Sequence, residues 1–156
     1  MAIEIRPASP RSGKCRELIS ELDQYQLELY PAESNHLDSA EELEQPNAVF
    51  LGAYEGDTLL GIGALKVVDH DIRYGEIKRV YVPASARGRG VSVKLMEQLE
   101  HQALRQGISV IRLETGIYQP EAIGLYRKLG YEYRNSFGNY PTDDPMSVFM
   151  EKSLVD

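Results

Sequence analysis

The run "EIKRVYVPASARGRGVSVKLMEQLE", residues 76–100, constrains this chain more than any other stretch. It passes from β-branched apolar residues, through a turn of glycines and arginines, into apolar residues at helical spacing. Val91, Leu95, Leu99 and Ala103 recur every four residues and predict one buried stripe of a helix. The part before the turn predicts a strand whose alternation slips. Ile77 belongs to one phase, Lys78 and Arg79 are both polar, and Val80 and Val82 belong to the other phase. A side-chain period of two skips in this way when an extra residue is inserted, so a bulge is expected near Lys78–Val80.

The rest of the chain alternates around this unit. "IEIRPA" predicts a short strand. Leu18, Leu22, Tyr25 and Leu29 predict a helix that Pro31 stops. "SAEELEQ" predicts a short helix with Ser39 as N-cap and Glu42 completing a capping box. Two strands flank an "EGD" turn, and "VDHDIRYG" holds the next turn. After the central helix, ended by Gly107, come the strand "SVIRLETG" and the helix "QPEAIGLYRKLG". Pro120 sits in that helix's first turn and Gly130 just past its end. "YEYRN" and "MSVFMEK" close the chain as strands. The order β-α-α-β-β-β-α-β-α-β-β predicts one mixed α/β domain over residues 1–156, with one central sheet.

The 156 residues suffice for a core, and no apolar run is long enough to span a bilayer. The N-terminus lacks a basic segment followed by an apolar one, so no signal peptide and a cytoplasmic location are expected. Cys15 is the only cysteine, which excludes an internal disulfide and predicts a packed bystander. A net charge of −7 argues against non-specific nucleic-acid binding and suits a cationic partner better than an anionic one. No cluster of His, Cys, Asp and Glu has metal-ligand spacing, so no catalytic metal is expected. No G-x-S-x-G elbow points to a serine hydrolase.

The glycine-arginine turn admits several readings. A Walker A loop fails because Val93 stands where its second glycine belongs, and Val93 also breaks a G-x-G-x-x-G fingerprint. A helix N-terminus with bare backbone needs neither pattern. Its first N–H groups carry partial positive charge, Gly88 and Gly90 admit close approach, and Arg87 and Arg89 add charge. That combination suits a pyrophosphate. A glycine-rich turn before a surface helix stands beside it as the plain structural reading.

Two motifs in order narrow the choice. Arg87-Gly88-Arg89-Gly90-Val91-Ser92 is similar to the [QR]-x-x-G-x-[GA] motif of the GCN5-related N-acetyltransferase (GNAT) superfamily, with Ser92 in place of the last small residue. Residues 119–131, "QPEAIGLYRKLGY", resemble its second signature, N-x-x-A-x-x-L-Y-x-x-x-G-[FY], with Gln119 in place of Asn. The resemblance runs from about Val49 to the C-terminus. It implies a mostly antiparallel, twisted sheet splayed at the bulged strand, with helices on both faces. It implies acetyl-CoA (coenzyme A) as co-substrate and acetyl transfer to an amine of a small-molecule acceptor. A protein acetylase or a non-catalytic CoA-binding module is the alternative.

The resemblance also implies residue roles. Backbone across Arg87–Ser92 would cradle the pyrophosphate, and the freed backbone of Val80, Tyr81 and Val82 would pair with pantetheine. Gln119 stands where an asparagine often contacts the same arm. Tyr126 matches the tyrosine that protonates the leaving thiolate. Glu76 occupies the position of a glutamate base, with Glu114 or water as alternatives. The loop "YPAESNHLD" would bring Glu33, Asn35 and His36 to the acceptor, and Tyr140 in "FGNYPTDDP" would form the other wall. Lys78, Arg79 and Arg73 are candidate partners for an acceptor carboxylate. No nucleic acid or membrane partner is expected. A homodimer is possible, with the C-terminal strand pairing across the interface.

Overall fold

A computed structural model describes residues 2–31 and 39–155. Seven strands form one sheet: β1 (Glu4–Pro7), β2 (Ala48–Glu55), β3 (Thr58–Asp69), β4 (Arg73–Tyr81), β5 (Val110–Gly116), β6 (Glu132–Arg134) and β7 (Ser147–Ser153). Their order is β1-β2-β3-β4-β5-β7-β6, and only β4 and β5 run parallel. The helices are α1 (Gly13–Leu29), α2 (Ala40–Leu43), α3 (Val91–Arg105) and α4 (Pro120–Lys128). The element order is the one the sequence predicts. β7 is flanked by β5 along its length and by β6 over Phe149, Met150 and Glu151.

Two apolar layers sandwich the sheet. On one face, Val91, Leu95, Met96, Leu99 and Ala103 of α3 pack with Leu51, Leu65, Ile111 and Leu113, and α4 joins this core through Tyr126. On the other, Cys15 and Leu18 of α1 and Leu43 of α2 pack with Phe50, Ile62 and Ala64. Each such buried aliphatic side chain contributes about 1.5–3 kcal/mol. The short α2 starts as expected, with the Glu42 N–H donating to the Ser39 hydroxyl at 3.2 Å.

The predicted bulge is present. Ala64 pairs with Lys78 and Ile62 with Tyr81, so two steps on β3 face three on β4. The extra residue is Arg79, whose φ of 57° is the single left-handed non-glycine value among the described residues. A side chain in that conformation costs about 1–2 kcal/mol. Arg79 forms an ion pair with Asp23 of α1, which offsets part of the cost and ties that helix over the open end of β4.

Candidate active site

The bulge divides β4 into two parts. Gly75, Glu76 and Ile77 pair with Ile111, Arg112 and Leu113 of β5, and there the pairing stops. Beyond it the two parallel strands diverge, and a groove opens between them. Val80, Tyr81 and Val82 line one side, Gln119, Ala122, Leu125 and Tyr126 the other, and Leu22 and Tyr25 of α1 close it above. The groove runs to Arg87 and Ser92 at the start of α3.

That end of the groove is bare backbone. Gly88 and Gly90 have φ of 81° and 74°, and a Cβ added to either would meet nothing within 4 Å. No side chain caps α3, whose N-cap is Gly90. The first N–H groups of the helix therefore face outward with their partial positive charge. Arg87 donates through Nε to the Val82 carbonyl at 3.0 Å, and Arg89 pairs with Glu55 at 2.5 Å. Val91 turns its side chain into the core, so only its backbone belongs to the turn.

Tyr126 sits where the groove meets a second cavity, and it lines both. Its position follows from the sequence just after it. Gly130, at φ 99°, ends α4 with the Tyr131 N–H donating to the Tyr126 carbonyl at 2.9 Å and the Gly130 N–H to Arg127 at 3.1 Å. This closure sets the Tyr131 ring against the Tyr126 ring, edge to face at 5.9 Å. Burial, with the nearby Glu114 carboxylate, pushes the Tyr126 hydroxyl up to about 12.

The second cavity lies on the α1 side of the splay. Its described walls include Lys78 and Arg79 of β4, Glu114 and Thr115 of β5, Gln26 and Tyr30 at the end of α1, and Met146. Glu114 accepts from the Ser147 hydroxyl at 2.8 Å. Glu76 lies behind this wall, only 6% exposed. It accepts from the Tyr140 hydroxyl at 2.5 Å and from Lys78 Nζ at 3.3 Å, while Lys78 also donates to the Tyr140 oxygen at 2.8 Å. Tyr140 thus reaches the cavity through Lys78. Glu33, Asn35 and His36 lie outside the described residues.

Gln119 is marked by the second motif, but its partners, and the places of Tyr30 and Arg112, carry no clear sequence signal. Gln119 turns its side-chain carbonyl inward, accepting from Gln26 at 3.2 Å, the Tyr30 hydroxyl at 3.3 Å and the Gly116 N–H at 3.4 Å. Tyr30 occupies the space a side chain at position 116 would need: a Cβ there would lie 1.8 Å from the tyrosine oxygen. Arg112, 4% exposed, locks the closed part of β4. It makes a two-pronged bond to Asp71 at 2.7 and 2.9 Å, a third to Glu151 at 2.7 Å, and stacks over Tyr74. The signals available were a glycine ending β5 and an arginine inside an apolar strand, neither of which names its distant partners.

An open helix N-terminus joined by a groove to a buried tyrosine suits a long co-substrate with phosphates at one end and a reacting group at the other. The residues present therefore fit a phosphate-bearing thioester such as acetyl-CoA. The class is that of acyl-transfer enzymes built on a splayed sheet. The sequence profile of the Acetyltransferase (GNAT) family matches residues 15–131, and the chain belongs to that family. It is 44% identical to the IAA acetyltransferase of Azospirillum brasilense over 97% of this chain and 98% of that one. A Klebsiella pneumoniae structure, provisionally described as an acyl-CoA N-acyltransferase, is 33% identical and superposes with a TM-score of 0.82 over 98% of both chains. The PaiA N-acetyltransferase of Thermoplasma acidophilum, solved with coenzyme A, matches with a TM-score of 0.71 over 98% of this chain and 99% of that one. Its 20% identity speaks for the fold alone. The protein is an N-acetyltransferase of the GNAT family.

Proposed function

We propose that the protein transfers the acetyl group directly to an amine of a small molecule. The observation that carries this reading is the place of Tyr126, at the junction between the groove from the α3 turn and the cavity under α1. Acetyl-CoA supplies the activated thioester. The chain's residues hold and orient it: the Arg87–Ser92 backbone takes the pyrophosphate, and the freed strand edge at Val80–Val82 takes the pantetheine amides. As the nitrogen–carbon bond forms and the carbon–sulfur bond breaks, Tyr126 gives its proton to the sulfur. A hydroxyl held near 12 stays protonated through the neutral range. The dry surroundings that raise it also make the departing thiolate more basic, so the transfer stays matched.

The amine sheds its proton to a carboxylate. Glu114 borders the cavity, and Glu76 communicates with it through Tyr140 and Lys78. Glu76 serves as base through that hydrogen-bonded pair, or Glu114 serves directly. The cavity's roof of Leu22, Gln26 and Tyr30 favours a small acceptor over an extended peptide. Among the described residues no helix is long and apolar enough to cross a membrane, in keeping with action in the cytoplasm on a soluble amine. The test is thiol release from acetyl-CoA against a panel of small amines, with the product identified by mass. Acetyl-CoA that binds but releases thiol with no amine would instead mark a CoA-binding module. Acetylation of peptides alone would mark a protein acetylase.

A further inference from the structure

Gln119 borders both spaces of the site, the groove beside β4 and the cavity under α1. It is the N-cap of α4, yet its side chain makes no cap bond there. Its amide is held from the α1 side instead. The Gln26 amide, the Tyr30 hydroxyl and the Gly116 N–H converge on its oxygen at 3.2, 3.3 and 3.4 Å.

The direction of that amide follows from which neighbours can only donate. A backbone N–H has no other role. The Gly116 N–H points at the Gln119 amide, so the atom it meets is the oxygen. The Tyr118 N–H donates to the Tyr30 oxygen at 3.1 Å, and the Tyr30 hydrogen goes to Gln119. Turning the amide over would set its NH2 group against both of these hydrogens and lose both bonds. Tyr30 is itself fixed. It is only 5% exposed, its ring stacks on Tyr118 at 5.6 Å, and it fills the space above Gly116 that a Cβ would need. With the oxygen held toward α1, the NH2 group is held away from it, and among the described residues it donates to none. A donor ordered in advance loses little side-chain entropy when a ligand arrives.

We propose that Tyr30, with Gln26, is a positioning residue for the co-substrate: the pair locks the Gln119 amide so that its NH2 group donates to an amide carbonyl of the pantetheine arm. This rests on the groove being the acetyl-CoA site. A residue that roofs the acceptor cavity thereby acts on the donor. The experiment is calorimetric titration with acetyl-CoA of the native protein, Tyr30→Phe, Gln119→Ala and the double variant. Tyr30→Phe keeps the ring over Gly116 and removes only the hydroxyl. A neutral hydrogen bond contributes a factor of about 3–10, so each single variant should bind acetyl-CoA about 3–10-fold more weakly. The double variant should bind no more weakly than Gln119→Ala, because Tyr30 then has nothing to position. A purely structural hydroxyl would weaken binding by the same factor with or without Gln119. That result, or native affinity in either single variant, would overturn the inference and leave amine acetylation standing. If Tyr30→Phe does not fold, Gln26→Met takes its place in the cycle with the same outcomes. A native protein that does not bind acetyl-CoA would overturn both.

Discussion

The two parts of β4 are adjacent in sequence and opposite in character. From Gly75 to Ile77 the strand is paired on both sides and pinned by a buried arginine. From Lys78 onward it has lost its parallel neighbour, carries an inserted residue and borders a groove. The first part makes the sheet continuous, and the second makes it open. A splayed sheet is tolerable because the closed part resists further unzipping, while α1, tied through Asp23, and α4, fixed by Gly130, cover the gap.

The sharpest way to separate the parts is to damage each alone. Tyr126→Phe acts on the open part. It should lower kcat about 100-fold, within the usual range for a general acid, while acetyl-CoA affinity measured by calorimetry stays nearly constant. An unaltered rate would remove Tyr126 from the proton path.

Arg112→Gln acts on the closed part. Its carboxylate partners are partly solvated, so the loss should fall near the lower end for a broken buried network, about 2–3 kcal/mol or about 4–12 °C in Tm. Acetyl-CoA affinity of the variant at low temperature should change little, because the groove begins beyond this region.

Acid should weaken the same network in the native protein. The two-pronged bond from Arg112 holds Asp71 well below its usual range. Burial pushes Glu151 up, but hydrogen bonds from Arg112 and Arg134 outweigh it and leave it lowered. Both groups thus bind protons more weakly folded than unfolded. Their contribution is complete above the ordinary carboxylate range and is lost as pH falls through and below it. A series of Tm values against pH should drop below about pH 4, and Asp71→Asn should flatten the drop. A drop of equal depth in Asp71→Asn would place the acid sensitivity elsewhere.

Arg79→Gly should have the smallest effect. It relieves a left-handed backbone worth about 1–2 kcal/mol and gives up an ion pair with a partly exposed aspartate worth about 1 kcal/mol or less. A net change near zero in chemical denaturation fits the bulge described here. A loss of several kcal/mol would show that the link to α1 matters more than the strain.

Much of the donor half was legible in sequence because its signals are local. The slipped alternation at Ile77–Val82 needs only neighbouring residues, as do the α3 stripe and the glycine closing α4 after Tyr126. The acceptor half depends on contacts between distant segments. Glu76 and Glu114 are both strand glutamates, and only Glu114 borders the cavity, while Glu76 is bonded by Tyr140, 64 residues away. Tyr30 over Gly116 joins the end of α1 to the end of β5, and Arg112 gathers partners from the β3–β4 turn and from β7. Such pairings follow from topology, which no periodicity encodes.

The central claim is that the splayed part of β4 and the α3 turn together form an acetyl-CoA cradle. Calorimetric titration with acetyl-CoA, with ATP and NAD as comparators, on the native protein and on Gly90→Val tests it most directly. The account predicts that acetyl-CoA binds in preference to both comparators. It also predicts that a side chain at position 90, forced into a left-handed backbone and into the path of the phosphates, weakens binding about tenfold or more. Tighter binding of ATP or NAD, or an affinity untouched by the substitution, would contradict it.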